Sequence, residues 1–157
     1  HALMLWQPGI PMLYSGDEVG QLNDVSYKKN PKKAGDSRYL HRGCFPWRLA
    51  EEAQASKDSI AGRMCDGLRC REEFRIQETA MAKDAQCCVL ETENSHVLCL
   101  LRRQEGQSLI GMFNFSIECQ KVFHKDLEGS AVCLGNKDKL NDELWLEPYG
   151  FCIVKQV

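Results

Sequence analysis

The sequence predicts an α/β segment followed by an all-β antiparallel sandwich. Three observations point there. The short unbroken apolar run Ile10 to Tyr14 ends at Gly16, which suits a strand buried on both faces of a parallel sheet. A helix-periodic stretch follows a long polar loop. Beyond residue 85, short apolar stretches alternate with turn residues to the end of the chain, the pattern of a sandwich of short strands. The division falls between 1–82 and 83–157.

Composition allows such a fold. The chain has 157 residues, 43% hydrophobic and 27% charged, enough for a packed core and unlike a disordered chain. Twenty Lys and Arg against 22 Asp and Glu give a net charge of −2, without the positive excess of a nucleic-acid binder. A complete (β/α)₈ barrel needs roughly 200 residues or more, so any barrel here is present only in part.

Taken in order, Ala2–Trp6 reads as the end of a helix stopped by Pro8-Gly9, and Ile10–Tyr14 as the strand. Residues 1–16 hold no Lys, Arg, Asp or Glu. They are still too short and too broken by proline for a membrane span, which takes about 20 apolar residues. They also lack the basic start of a signal peptide. The apolar start reads as a chain entered mid-fold, and the expected location is cytoplasmic, with secretion left open. A polar loop, 17–47, carries Asn30-Pro31, Gly35, Gly43 and Pro46, and loops longer than about 15 residues are usually functional or disordered. The helix is expected over 56–77, with Ile60, Ala61, Met64, Cys65 and Leu68 as its apolar stripe and Arg71 and Glu72 interrupting it. Strands are expected at 87–92, 96–103, 108–115, 120–123, 131–134, 143–146 and 151–157. Glu105-Gly106, Glu128-Gly129, Gly135-Asn136 and Pro148-Tyr149-Gly150 are among the turns between them.

Nine cysteines cannot all pair internally, and no CxxC or HxxxH occurs. Reduced thiols filling small apolar positions are the expectation, with neither metal nor cofactor. Asn114-Phe115-Ser116 fits the glycosylation pattern, which matters only in a secreted protein. Asp17-Glu18 is the one obvious carboxylate pair, and a structural role outweighs acid and nucleophile roles. Lys28, Lys29, Lys32 and Lys33 read as a solvated loop rather than an anion patch. Asp36-Ser37-Arg38-Tyr39-Leu40-His41-Arg42 concentrates charge in the long loop, where an arginine fork suits carboxylates and sugar hydroxyls as well as it suits loop anchoring. Trp6, Trp47 and Trp145 are each expected to pack in apolar surroundings rather than stack on sugars.

Gly9-Ile10-Pro11-Met12-Leu13-Tyr14-Ser15-Gly16-Asp17-Glu18 resembles the eighth barrel strand of the α-amylase superfamily, glycoside hydrolase family thirteen. The continuation Gln21-Leu22-Asn23-Asp24, Ser26-Tyr27 and Asp36 to Arg42 strongly resembles the amylosucrase branch. Further matches are Ala61-Gly62-Arg63, Gly67-Leu68-Arg69, Asn114-Phe115-Ser116 and Pro148-Tyr149-Gly150-Phe151. The resemblance implies the last βα unit of a (β/α)₈ TIM barrel followed by the C-terminal β-sandwich. It implies a retaining α-glucosyltransferase that takes sucrose, releases fructose and passes glucose to an α-glucan or to water. The catalytic carboxylates would lie on earlier strands, so the catalytic residues in this segment are none and the chain alone is expected inactive.

Arg38 matches the arginine that closes the glucose pocket by pairing with an upstream aspartate. Asp17, Glu18, Asn23, Asp24, Asp36 and His41 would support its loop. One departure is Arg71, Glu72 and Glu73, where the family carries apolar residues. The implied partners are sucrose, α-glucan and the rest of the barrel, with no nucleic acid or membrane. The alternatives are another sucrose- or α-glucoside-acting branch, a non-catalytic carbohydrate-binding or interaction sandwich, and a degenerate remnant.

Overall fold

A computed structural model describes residues 1–56, 58–122, 131–135, 139–140 and 143–156. Phe123, Glu128-Gly129, Asn136 and Val157, which belonged to expected strands and turns, lie outside the described residues. Three α-helices are present: α1 (Ala2–Trp6), α2 (Trp47–Gln54) and α3 (Ile60–Gln77). Eight strands follow: β1 (Gln86–Leu90), β2 (Val97–Gln104), β3 (Gln107–Asn114), β4 (Gln120–Val122), β5 (Ala131–Gly135), β6 (Lys139–Leu140), β7 (Glu143–Leu146) and β8 (Phe151–Lys155). The described residues form two compact units, His1–Pro11 with Arg69–Val157, and Met12–Leu68.

The first unit holds the β-structure. Five strands run in the order β1-β2-β3-β8-β5 and three in the order β4-β7-β6, all pairings antiparallel. Glu105 (φ 51°) and Gly106 (φ 80°) make the two-residue turn between β2 and β3, where two successive positive φ values match the strands' right-handed twist. Side chains alternate along each strand, and both faces of the larger sheet are buried along β2, β3 and β8, whereas the edge strand β1 is largely exposed. Val97, Cys99, Leu101, Ile110, Met112, Cys152 and Val154 meet Val122, Leu144 and Leu146 of the smaller sheet. On the opposite face Leu100, Leu109, Phe113 and Ile153 pack with Trp6, Ala80 and Met81. Two-faced burial explains why β2 and β3 read as unbroken apolar runs rather than as alternating ones.

Several expectations are corrected. Ile10–Tyr14 forms no strand, and Ile10 and Met12 are 92% and 81% exposed. A strand exists only through hydrogen bonds to neighbours, and no described strand pairs with this segment. The expected barrel unit is therefore not confirmed by the described residues. The helix expected from residue 56 starts at Ile60. Ser59 caps it, its Oγ accepting from the Gly62 amide at 3.1 Å. Within α3 only Met64 of the expected stripe is buried, and Ile60 is 48% exposed. α2 falls where no element was assigned, between the expected loop, which ended at Trp47, and the expected helix, and β6 was not expected.

The cysteines also differ. Cys99 and Cys152 are buried, whereas Cys44, Cys65, Cys87, Cys88 and Cys119 are exposed, so most described cysteines do not fill the core. Asn114 is 3% exposed. Its amide donates to the carbonyls of Glu118, Leu146 and Glu147, while its Oδ1 accepts from the amide and hydroxyl of Ser116. The glycosylation reading of this triplet is excluded in the folded chain, because a buried, fully engaged amide offers no acceptor nitrogen.

Candidate functional site

The loop holding Arg38 lies in the second unit and is a chain of tight turns. Gly16 (φ 105°) and Gly20 (φ 63°) bracket the 3₁₀ turn Asp17–Val19 in left-handed backbone, which only glycine adopts without strain. Both carboxylates of the Asp17-Glu18 pair face the backbone here. Asp17 Oδ2 accepts from the Tyr14 amide at 3.1 Å, and Glu18 Oε2 from the Gly16 amide at 2.8 Å. Both hydrogen bonds lie within the turn itself.

Two further 3₁₀ turns have the same architecture. Asp24 precedes Val25–Lys29 and accepts from the Ser26 amide at 2.8 Å, and these hydrogen bonds hold its pKa below the ordinary carboxylate value. Asp36 precedes Ser37–His41 and accepts from the Arg38 amide at 3.0 Å. The two turns are stitched together by Asp24 N–H to the Leu40 carbonyl (2.8 Å) and by Asn23 Oδ1 to His41 Nδ1 (2.9 Å). Gln21 Nε2 donates to the Cys44 carbonyl at 3.2 Å. Gly43 lies close by, where a Cβ would meet Gln21 Nε2 at 3.0 Å and Asp24 Cβ at 3.3 Å.

Arg38 itself is held by Asp36. Its Nε donates to both carboxylate oxygens (2.9 and 3.1 Å) and its Nη2 to Oδ2 at 2.8 Å. The Arg38 side-chain and backbone hydrogen bonds lower the Asp36 pKa to about 2, and Asp36 in turn raises that of Arg38. The fork is thereby oriented while Nη1, with two N–H groups, makes no hydrogen bond among the described residues. A fixed guanidinium with free donors on an exposed loop suits an anion or a carboxylate. Of the residues singled out in sequence, Asn23, Asp24, Asp36, Arg38 and His41 converge in this stitched pair of turns, and Asp17 and Glu18 shape the turn before it. Lys28, Lys29, Lys32 and Lys33 are exposed, and Lys33 Nζ sits 5.1 Å from the Tyr39 ring centroid.

Sequence reasoning missed a groove in the same unit. It has a volume of about 400 Å³ and is lined by Ser15, Glu18, Phe45, Trp47, Ala50 and Gln54, among others. Trp47, expected in packing, is 71% exposed, its ring edge-on to Phe45 at 4.8 Å. The signal in the sequence was Phe45-Pro46-Trp47, two aromatics flanking a proline that begins a helix. Trp6 is buried as expected, at 2% exposure, whereas Trp145, also expected in packing, is exposed at 37%.

Two arginines organise the first unit. Arg71, read as an interruption of a helix stripe, donates through Nε to the Leu5 carbonyl (2.9 Å) and through Nη2 to that of Gly9 (2.7 Å). Arg102 is 1% exposed and donates to the carbonyls of Ala80 (2.9 Å), Trp6 (2.6 Å) and Ala82 (2.7 Å). Burial lowers its pKa from the ordinary value, yet its acceptors are neutral. No group of three or more His, Cys, Asp or Glu that could hold a metal occurs among the described residues. No helix among them is long and apolar enough to cross a membrane.

No protein-family model matches the chain. Solved structures do. Trehalose-6-phosphate hydrolase of Bacillus licheniformis aligns with a TM-score of 0.68 at 18% identity, over 98% of this chain and 37% of its own. Trehalulose synthase MutB of Pseudomonas mesoacidophila aligns at 0.69 and 18%, over 98% of this chain and 37% of its own. Eubacterium rectale Amy13B aligns at 0.70 and 16%, over 99% and 33%. These neighbours are α-amylase-family enzymes, and the matched stretch is their C-terminal part. At such identity the likeness establishes the fold. The chain spans 33–37% of the neighbours' length.

Proposed function

We propose that this chain is the C-terminal portion of a retaining α-glucosyltransferase of the amylosucrase type, acting on sucrose and an α-glucan in the cytoplasm. The observation that carries the reading is a fold likeness to α-amylase-family enzymes along 98–99% of this chain. The Arg38 loop supports the finer assignment. Asp36 holds the guanidinium by two of its nitrogens and leaves Nη1 for an upstream carboxylate, the pairing that would give a glucose pocket its fixed depth. Such a pair acts through shape and orientation more than through net stability. The chain alone turns over no sucrose in this reading, because Asp17 and Glu18 accept from the loop's own amides and the retaining carboxylates belong to earlier strands.

The test is a polypeptide joining this chain to the preceding barrel units. There Arg38→Ala should lower fructose release from sucrose on the order of 10²-fold, as misplaced substrate does, with the unfolding midpoint unchanged. Unchanged turnover would reduce Arg38 to a loop anchor. A second reading, an α-glucoside hydrolase or isomerase of the same superfamily, is favoured by the names of the neighbours, a trehalose-6-phosphate hydrolase and a trehalulose synthase. Fructose release without glucan elongation would select it.

A further inference from the structure

The geometry points to a second carbohydrate site: the groove beside Trp47, formed where the two ends of the Arg38-bearing loop meet α2, binds a hexopyranosyl unit of an α-glucan or α-glucoside. The inference rests on the carbohydrate-active reading above and adds a ligand class and a place to it. A sugar ring has one apolar C–H face and a rim of hydroxyls. A site for it needs an accessible aromatic face and a few polar groups not already committed. The groove has both.

The aromatic face comes first. Trp47 is 71% exposed, and Phe45 meets it edge to face, with centroids 4.8 Å apart and planes at 67°. Such packing is favourable for the ring pair, and most of Trp47 stays exposed beside it. Pro46 ahead of α2 and the first turn of that helix hold Trp47 on regular backbone, so the platform is presented by a rigid element. An isolated exposed indole would need no explanation, but this one borders a concave space of about 400 Å³, within the range of small-ligand clefts.

The polar rim comes second. Glu18 uses Oε2 to accept from the Gly16 amide, which fixes the carboxylate, and its Oε1 makes no hydrogen bond among the described residues. The Ser15 hydroxyl and the Gln54 amide likewise make none there. A carboxylate oxygen accepts from sugar hydroxyls, an amide both donates and accepts, and a hydroxyl does either. Ala50 is small enough to leave the floor open. Three adaptable groups around one aromatic face form the polar-on-apolar pattern of a small-ligand site.

The experiment uses the 157-residue chain. Indole N–H resonances of Trp6, Trp47 and Trp145 are followed by ¹H–¹⁵N correlation spectra during titration with maltoheptaose and, separately, with sucrose. The expected result is a saturable shift of Trp47 with Trp6 unmoved. A response to maltoheptaose alone identifies a glucan chain as the ligand, and a response to sucrose as well identifies a single glucoside. Trp47→Ala should weaken binding by about tenfold or more, with the unmoved Trp6 resonance reporting an intact fold. Gln54→Ala and Glu18→Gln, which spare the aromatic pair, should each weaken it several-fold. Absence of a saturable shift with either sugar would overturn the site, as would equal affinity in Trp47→Ala. That failure would leave the sucrose-turnover test of Arg38 untouched, so the two readings fall separately.

Discussion

Replacing Arg102 with Met should destabilise the β-sandwich unit by about 3–5 kcal/mol, the loss expected when one partner of a buried polar cluster is removed. The guanidinium is 1% exposed and donates three bonds of 2.6–2.9 Å to main-chain oxygens. Hydrogen bonds to a charged group contribute roughly 1.5–3 kcal/mol each, so the three sum to about 4.5–9 kcal/mol gross. Desolvating the guanidinium offsets several kcal/mol of that, and Met avoids this cost while filling the space of the stem. The carbonyls of Trp6, Ala80 and Ala82 then lose their donor, at about 1–3 kcal/mol for any that stays dry. The assay is urea unfolding followed by far-ultraviolet circular dichroism and by tryptophan emission. Arg103→Met is the control: Arg103 is exposed and its Nε donates only to Ser108 Oγ at 3.1 Å. If the two variants unfold within about 1 kcal/mol of each other, the Arg102 cluster is not what holds α1 to the sheet.

Three further outcomes follow from the same kind of reasoning. Asn114→Ala should lower stability by about 2–4 kcal/mol, since three carbonyls and a serine lose a buried partner; thermal unfolding measures it. Gly111→Ala places a Cβ 2.8 Å from the Trp6 indole and should cost about 1–3 kcal/mol by overpacking, visible as a broadened or shifted Trp6 indole resonance. Asp36 should remain ionised until about pH 2. Because its folded pKa is depressed, its contribution is present above the ordinary value of 3.8 and is lost as pH falls through about 2. A carboxyl ¹³C titration checks this, and Arg38→Ala should move the midpoint back toward the ordinary value.

The strands were legible because their punctuation is local. Glu105-Gly106 forces a hairpin whatever lies around it, and Pro148-Tyr149-Gly150 closes the approach to β8. Asp24 and Asp36 each stand two positions before the amide they cap, an equally local pattern, but in sequence they stood only as loop support implied by the resemblance. Ile10–Tyr14 was not, since an apolar run becomes a strand only where neighbouring strands supply hydrogen bonds. Trp47 was misjudged because flanking residues report poorly on which way a ring faces once α2 forms. Arg71 and Arg102 were opaque for another reason. Their acceptors are main-chain carbonyls, which every residue possesses, so no pattern of residue types marks them.

Those carbonyls have a consequence for how the sequence tolerates change. Leu5, Trp6, Gly9, Ala80 and Ala82 each offer the two arginines an oxygen that survives any substitution preserving the backbone path. A saturation library should therefore be one-sided. Arg71 and Arg102 would stand as intolerant positions, while Ala82 accepts many replacements without loosening the grip. Leu5, Trp6 and Ala80 would be constrained only by their own packing, at 8%, 2% and 0% exposure, and Gly9 by its left-handed backbone at φ 107°. A clamp of this design asks nothing of the side chains it joins, so divergence of the N-terminal segment is limited by packing and backbone conformation rather than by the joint itself.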